Sequence, residues 1–349
     1  MSGGFFTTEK LKEEDLSIAV EVINDGFADV FQWLLGKSPP GRPEGERVRE
    51  RFYRPNTAAV ALRAHTGRVE GVCFLQGMGT RGVAGPLAIR PAYDTRIAGR
   101  ALMTAAVLAG MKFGCKAIDS VTFPQSPTHL TMHFNFCEPL FPAPFLSKDL
   151  ARLAASRANL GTGLDVVSLS AMDPATRENA ILGTRAVTDR FTAGFDVTHD
   201  IRYVLDRNLG DTILVRDSER VLGFAICHYG ERSEAFSDEQ FLIKHLYVDP
   251  QAGQESENDR ASRTSSAVFE HILHKVELAA AERGFENVAL MASAGRRSML
   301  RLLLDRGYTA DEVHAHWAGR CPEPGQPIRS VGNDLASIRS DHFGASELR

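Results

Sequence analysis

Gly85-Pro86-Leu87-Ala88-Ile89-Arg90-Pro91-Ala92-Tyr93-Asp94-Thr95-Arg96-Ile97-Ala98-Gly99-Arg100-Ala101-Leu102-Met103 decides how this chain is read. An apolar run is broken by a proline, passes through a short loop with one glycine and enters an apolar helix, predicted from Gly99 to Phe113. A helix entered this way leaves the N–H groups of its first turn without intrahelical partners. Together with the helix dipole they favour an anion, above all a pyrophosphate. Arg90, Arg96 and Arg100 stand around the loop as cations. A βα turn of this kind also occurs in other α/β proteins, so its surroundings carry the argument.

Upstream, Phe5 to Thr8 reads as a strand, and Leu16 to Phe27 has helical spacing. Ala58 to Arg63 and Gly71 to Gly77 form a hairpin across Thr66-Gly67. Downstream, Ala117 to Phe123 is a strand and Ser126 to Phe136 a helix. The same order then recurs. Val166 to Ala171 is a strand, and Asp173-Pro174 caps and opens a helix that runs to Phe191. Thr212 to Val215 and Val221 to His228 form a hairpin, and Leu242 to Val248 is a strand ending in Val248-Asp249-Pro250. The helix Ser265 to Glu282, the strand Val288 to Met291 and the helix Arg296 to Asp305 follow. Matching features lie about 160–170 residues apart, the spacing of whole domains rather than of a solenoid.

On these residues the chain resembles the GNAT acyltransferase superfamily, taken twice in tandem. In that family a strand ending Val-x-Pro precedes a (Gln/Arg)-x-x-Gly-x-(Gly/Ala) loop that wraps the pyrophosphate of coenzyme A. Ile89-Arg90-Pro91 fills the strand end, and Arg96-Ile97-Ala98-Gly99-Arg100-Ala101 fits the loop. Counted without a gap from Pro91, the loop instead begins at Asp94, and the sequence admits both registers. The resemblance implies an α+β fold (α/β by some schemes) of two GNAT-like domains, each a mixed, mostly antiparallel sheet flanked by helices. The expected bounds are 1–147, a connector 148–163, a second domain 164–320 and a tail 321–349.

The resemblance also implies an acyl-CoA-dependent N-acyltransferase, with acetyl-CoA as donor and a small-molecule, protein or peptide amine as acceptor. Leu87, Ala88 and Ile89 are expected to give backbone contacts to the pantetheine arm and thioester. Arg96 to Ala101 are expected to hold the pyrophosphate, and Ser126 stands where the family's cofactor-contacting Asn lies. The family's proton-donating Tyr is replaced by His133 in the first half and by Leu303 in the second. His133 is therefore the expected acid. The second half's loop carries Glu255, Glu257 and Asp259, which repel phosphate, so the first half is the favoured donor site. The opposite assignment rests on Arg260, Ser262, Arg263, Thr264 and Ser265, whose side chains also suit phosphate. Asp119 or Ser120 faces the site by strand alternation, and His228 and His245 read as hydrogen-bonded wall residues.

Composition bounds the alternatives. The chain has 349 residues, 43% hydrophobic and 24% charged, ordinary for a globular protein of two domains. A net charge of −4 gives no general attraction to nucleic acid or anionic lipid. Cys73, Cys115, Cys137, Cys227 and Cys321 are widely spaced and read as buried thiols of a reducing compartment, with no zinc or disulfide pattern. No His/Asp/Glu set has metal spacing, no apolar run reaches the ~18 residues of a membrane span, and no leader is visible, so a cytoplasmic location is expected. A homodimer is compatible with these features. Two further classes remain: a non-catalytic acyl-CoA sensor or interaction module, favoured by the missing Tyr, and a nucleotide-binding α/β enzyme. The hairpins ahead of the loop argue against the latter, whose fold opens on its glycine loop.

Overall fold

The structure is a computed structural model that describes residues 6–35, 45–91, 93, 95–122, 138–152, 164–230, 232–234, 240–252, 265–294 and 296–321. Two compact units result, divided at Ala143/Pro144 and again at Glu312/Val313. The first unit contains β1 (Phe6–Lys10), α1 (Leu16–Leu35), α2 (Gly45–Tyr53), β2 (Thr57–Ala64), β3 (Val69–Met78), β4 (Arg81–Ile89), α3 (Thr95–Lys112) and β5 (Ala117–Thr122). The second contains β6 (Glu138–Asp149) from Pro144 onward, β7 (Asp165–Ser168), α4 (Pro174–Phe191), α5 (Thr198–Asp206), β8 (Gly210–Asp217), β9 (Arg220–His228), β10 (Gln240–Val248), α6 (Ser265–Glu282), β11 (Asn287–Met291) and α7 (Arg297–Asp305). The last strand, β12 (Thr309–Arg320), crosses back into the first unit.

In the first unit the strand order is β1-β2-β3-β4-β5-β12, antiparallel except for β4 and β5. Alternation sorts the side chains. Leu87 and Ile89 of β4 join Val60, Leu62, Cys73 and Leu75 under Ala98, Leu102, Met103 and Ala106 of α3. Ala88 points the other way, with Ala61, Val72 and Phe74, under Ala19, Val22 and Ile23 of α1. The second unit repeats this plan in the order β7-β8-β9-β10-β11-β6, with β10 and β11 parallel. Val268, Phe269, Ile272, Leu273 and Val276 of α6 cover one face, a helical stripe against Ala225, Phe241, Leu246 and Val248. The α4 cap is as the sequence predicts: Asp173 accepts from the N–H groups of Ala175 and Thr176, at 3.2 and 3.1 Å, with Pro174 in the first turn.

Each unit completes its ladder with a strand from elsewhere in the chain. The ladder of β5 is completed by Ala315–Arg320 of β12, and that of β11 by Phe145–Asp149 of β6. A consecutive division into 1–147 and 164–320 does not contain this exchange. Residues 148 and 149, expected to begin a connector, continue β6, and Leu150–Arg152 form a 3-10 turn. Pro139, Pro142 and Pro144 argue against a strand in this segment, because proline cannot donate to a ladder. The pairing with β11 begins just past them, at Phe145. Residues 153–163, the predicted helix 126–136 and the tail from 322 lie outside the described residues.

Buried Trp317 anchors the returning strand, donating its indole N–H to Thr122 Oγ1 at 3.0 Å. Trp317→Ala removes a large core side chain and leaves the Thr122 hydroxyl without that donor. It is expected to lower stability by about 3–5 kcal/mol, measured by denaturant unfolding. A loss within 0.5 kcal/mol would contradict the anchoring role.

Candidate functional site

The site is built by a parallel strand pair that stops early. β4 pairs with β5 from Arg81 to Ala84 only, against Ala117 to Ser120. Beyond Ala84, β4 keeps its partner β3 through Leu87, Ala88 and Ile89. The N–H of Arg90 donates to Glu70 O of β3, at 2.9 Å. Backbone groups alternate sides along a strand, so Ala88 also faces β3, whereas Leu87 and Ile89 turn their N–H and C=O toward the opening. Of the three predicted contact residues, Leu87 and Ile89 therefore present backbone to the opening and Ala88 belongs to the ladder.

A bulge starts the divergence. Opposite β3, the register slips between Cys73/Leu87 and Leu75/Ala84, leaving Gly85-Pro86 as the slipped segment. The second unit has the same device. β10 pairs with β11 from Gln240 to Ile243, and its register with β9 shifts between Ile243 and His245. Asp249 N–H donates to Leu222 O at 2.7 Å, which turns Leu246 and Val248 toward this second opening. One glycine on the neighbouring strand is required in each unit. A Cβ on Gly223 would lie 2.9 Å from Tyr247 O and from Val268 and Ile272 of α6. At the matching Gly71 it would lie 3.0 Å from Leu102 of α3 and 3.3 Å from Ala88 O.

The helix after the first opening begins at Thr95, four residues before the predicted Gly99, so Arg96 to Ala101 form its first turns rather than a loop. Pro91 and Gly99 both look like punctuation in the sequence. Only the proline ends an element; Gly99 is buried inside the helix. The N–H groups of Thr95, Arg96 and Ile97 head the helix without i−4 partners, whereas those of Gly99, Arg100 and Ala101 lie within its hydrogen-bonded turns. Ile97 is 61% exposed at that head, Arg100 is exposed, and Ala98 is fully buried in the core. Arg90, a predicted phosphate contact, is committed elsewhere: it pairs with Asp25, with Glu21 at 3.2 Å and with Glu70 at 3.4 Å. Ser126, His133, Cys137 and the second unit's loop from 253 to 264 lie outside the described residues.

On β5, Asp119 serves structure. It receives Arg81 Nε at 2.6 Å and a second Arg81 contact, and lies 3.3 Å from His316 Nε2 of β12. Burial alone raises its pKa; hydrogen bonds from His316 and Arg81 outweigh this and hold it below the usual carboxylate range. Leu303, at the second unit's family Tyr position, is fully buried in the core. Burial pushes the thiols of Cys73 and Cys321 up to about 12 and raises Cys115 and Cys227, which disfavours the thiolate in each. Among the described residues no His, Cys, Asp and Glu group gathers to hold a metal ion, and no helix is long and apolar enough to cross a membrane.

A splayed parallel pair, a bulge and a following helix, in order β-α-α-β-β-β-α-β, occur in both units. The chain matches solved structures along nearly its whole length. A tandem GNAT protein of the clavulanic acid biosynthesis pathway aligns with 91% of this chain and 99% of its own, with a TM-score of 0.55 and 13% identity. The chain has a tandem GNAT fold. A GCN5-related N-acetyltransferase from Sphaerobacter thermophilus aligns with 91% of this chain and 96% of its own, at TM-score 0.58 and 13% identity. Another from Anabaena variabilis covers 90% and 72%, at TM-score 0.50 and 14% identity. No protein-family model and no curated protein sequence matches this chain.

The depressed pKa of Asp119 makes its contribution to stability present above the ordinary carboxylate range and lost as pH falls through its folded value. Asp119→Asn is expected to destabilise the protein at pH 7 and to flatten the loss of stability below pH 4, read from urea midpoints across pH. Identical acid limbs in both proteins would contradict this role.

Proposed function

We propose that this chain is an acyl-CoA-dependent N-acyltransferase that transfers acetyl from acetyl-CoA to an amine by direct attack. The open backbone edge at Leu87 and Ile89, directly ahead of a helix head with unpaired amides, carries this reading. An extended pantetheine arm bears amides that suit a strand edge, and a pyrophosphate suits the head of α3. The group fits the first unit, where Thr95, Arg96 and Ile97 lend N–H groups and Ala98, Gly99 and Ala101 keep side-chain bulk small. Arg96 and Arg100 add charge, and Ser126 contacts the donor's arm. His133 is the acid that protonates the departing thiolate.

Acyl transfer needs the amine held against the thioester and the leaving sulfur protonated. The chain's part is to align the thioester along β4 and to supply these proton transfers. The acceptor is a small-molecule amine or a lysine or N-terminus of a peptide, and the setting is cytoplasmic. A binding-only sensor is the second reading, favoured by Gly85-Pro86, which places no proton-transferring side chain at the first unit's bulge.

Ile97→Glu tests the donor site with little risk to folding, because Ile97 is 61% exposed. Negative charge at the helix head opposes phosphate, and calorimetric affinity for acetyl-CoA is expected to fall at least about 10-fold. Unchanged affinity in a folded variant removes the first unit as donor site. Acetyl-CoA binding without turnover on any amine would favour the sensor.

A further inference from the structure

The helix α3 keeps a face that its own unit does not use. Ala98, Leu102, Met103 and Ala106 pack on the sheet, and the line of the helix opposite them carries Ile97, Ala101, Thr104 and Leu108. A helix lying on a sheet ordinarily turns charges to that side. Here Ile97 is 61% and Leu108 48% exposed, and Phe113, just past the helix end, is 41% exposed. The helix α6 of the second unit has the same length, 18 residues, yet at the positions of Ala101, Thr104 and Ala105 it carries His271, His274 and Lys275. The apolar line on α3 is therefore not a requirement of the shared fold.

The described residues end beside this face. Cys321 packs against the core cluster that α3 covers, and its N–H donates at 2.8 Å to the carbonyl of Lys116, shortly after the end of α3 at Lys112. The sequence then runs Pro322-Glu323-Pro324-Gly325-Gln326-Pro327, a proline-rich spacer that reaches about 19 Å when extended. Beyond it Ile328, Val331, Leu335 and Ile338 recur at spacings of three and four, one face of a helix. Gly332 and Asn333 make such a helix weak in isolation, so its apolar face needs a partner. The dimensions agree. At about 1.5 Å per residue, Ile328 to Ile338 spans about 15 Å of helix and Ile97 to Leu108 about 16 Å. The spacer is long enough to pass Phe113 and reach Leu108.

We propose that the outer face of α3 is the docking surface for residues 328–338 of the same chain, which bind it as an amphipathic helix running antiparallel to α3. Ile328 lies toward Leu108 and Ile338 toward Ile97. The spacer makes the association intramolecular, and an effective concentration of the order of millimolar lets a small apolar contact hold. The residues after Ile338 then arrive at the head of α3, beside the amides of Thr95, Arg96 and Ile97. The docking rests on this face and this segment, independently of the acyltransferase reading.

The test uses the full chain with the photo-crosslinker p-benzoylphenylalanine in place of Leu108, irradiated at several protein concentrations and read by peptide mass spectrometry. Crosslinks are expected to residues 328–338 of the same chain, with a yield independent of concentration. Leu335→Glu and Ile338→Glu, on the apolar face of the segment, should each lower that yield at least about 10-fold, and Ser337→Glu, on its opposite face, should leave it unchanged. In the chain without the crosslinker, Leu108→Glu should speed tryptic cleavage after Arg329 and Arg339 at least about 10-fold, because cleavage follows the undocked population, while the melting curve stays as in the wild type. Absence of crosslinks to 328–338, or crosslinks to any other segment in their place, overturns the docking. Crosslinks that join two chains, with a yield rising with concentration, give the face to a second copy and overturn it too. An equal loss of yield with Ser337→Glu overturns the helical register. Cleavage rates that Leu108→Glu does not change overturn the role of α3.

Discussion

Two parallel strand pairs that part after four residues govern this molecule. A strand released from its neighbour leaves N–H and C=O groups that would be costly to bury without partners. The fold holds the release open at both ends. A bulge starts it, and close packing of a helix on a glycine, Gly71 under α3 and Gly223 under α6, fixes the strand beyond it. The edges at Leu87 and Ile89, and at Leu246 and Val248, are the consequence. They are suited to an extended ligand that brings its own amides.

The same position is held by opposite charges in the two units. Before Pro91, Arg90 pairs with Asp25 and Glu21 of the unit's first long helix and with Glu70 of the neighbouring strand. Before Pro250, fully buried Asp249 pairs with Arg190 of the corresponding helix and with Arg220 of the neighbouring strand. The interaction persists with its polarity inverted, so letter identity between the halves says little about their shared structure. The borrowed strands are pinned comparably: His316 of β12 lies against Asp119, and Lys148 of β6 lies 2.9 Å from buried Glu277, which Arg306 also contacts. A strand returned from elsewhere in the chain protects β5 and β11 from unwanted pairing.

Local signals made much of this legible. The Asp173-Pro174 cap, the hairpins, the strand ends at Pro91 and Pro250 and the helix Ser265–Glu282 all carry their cues within a few residues. The strand exchange was not legible, because the partners of β12 lie almost 200 residues away in sequence and the prolines of β6 disguise it. The short helices α2 and α5 also escaped, each spanning nine residues with too few turns to show a period. The register slip between β9 and β10 escaped for a related reason, because no pattern within β10 records it.

Hydrogen–deuterium exchange at single-residue resolution, with and without acetyl-CoA, tests the central claim most directly. The account predicts that the amides of Leu87 and Ile89 exchange readily in the free protein, that those of Ala88 and Arg90, bonded to β3, are protected, and that acetyl-CoA protects Leu87, Ile89 and the Thr95–Ile97 amides. Uniform protection along β4 in the free protein, or no change at these amides under saturating acetyl-CoA, would contradict it.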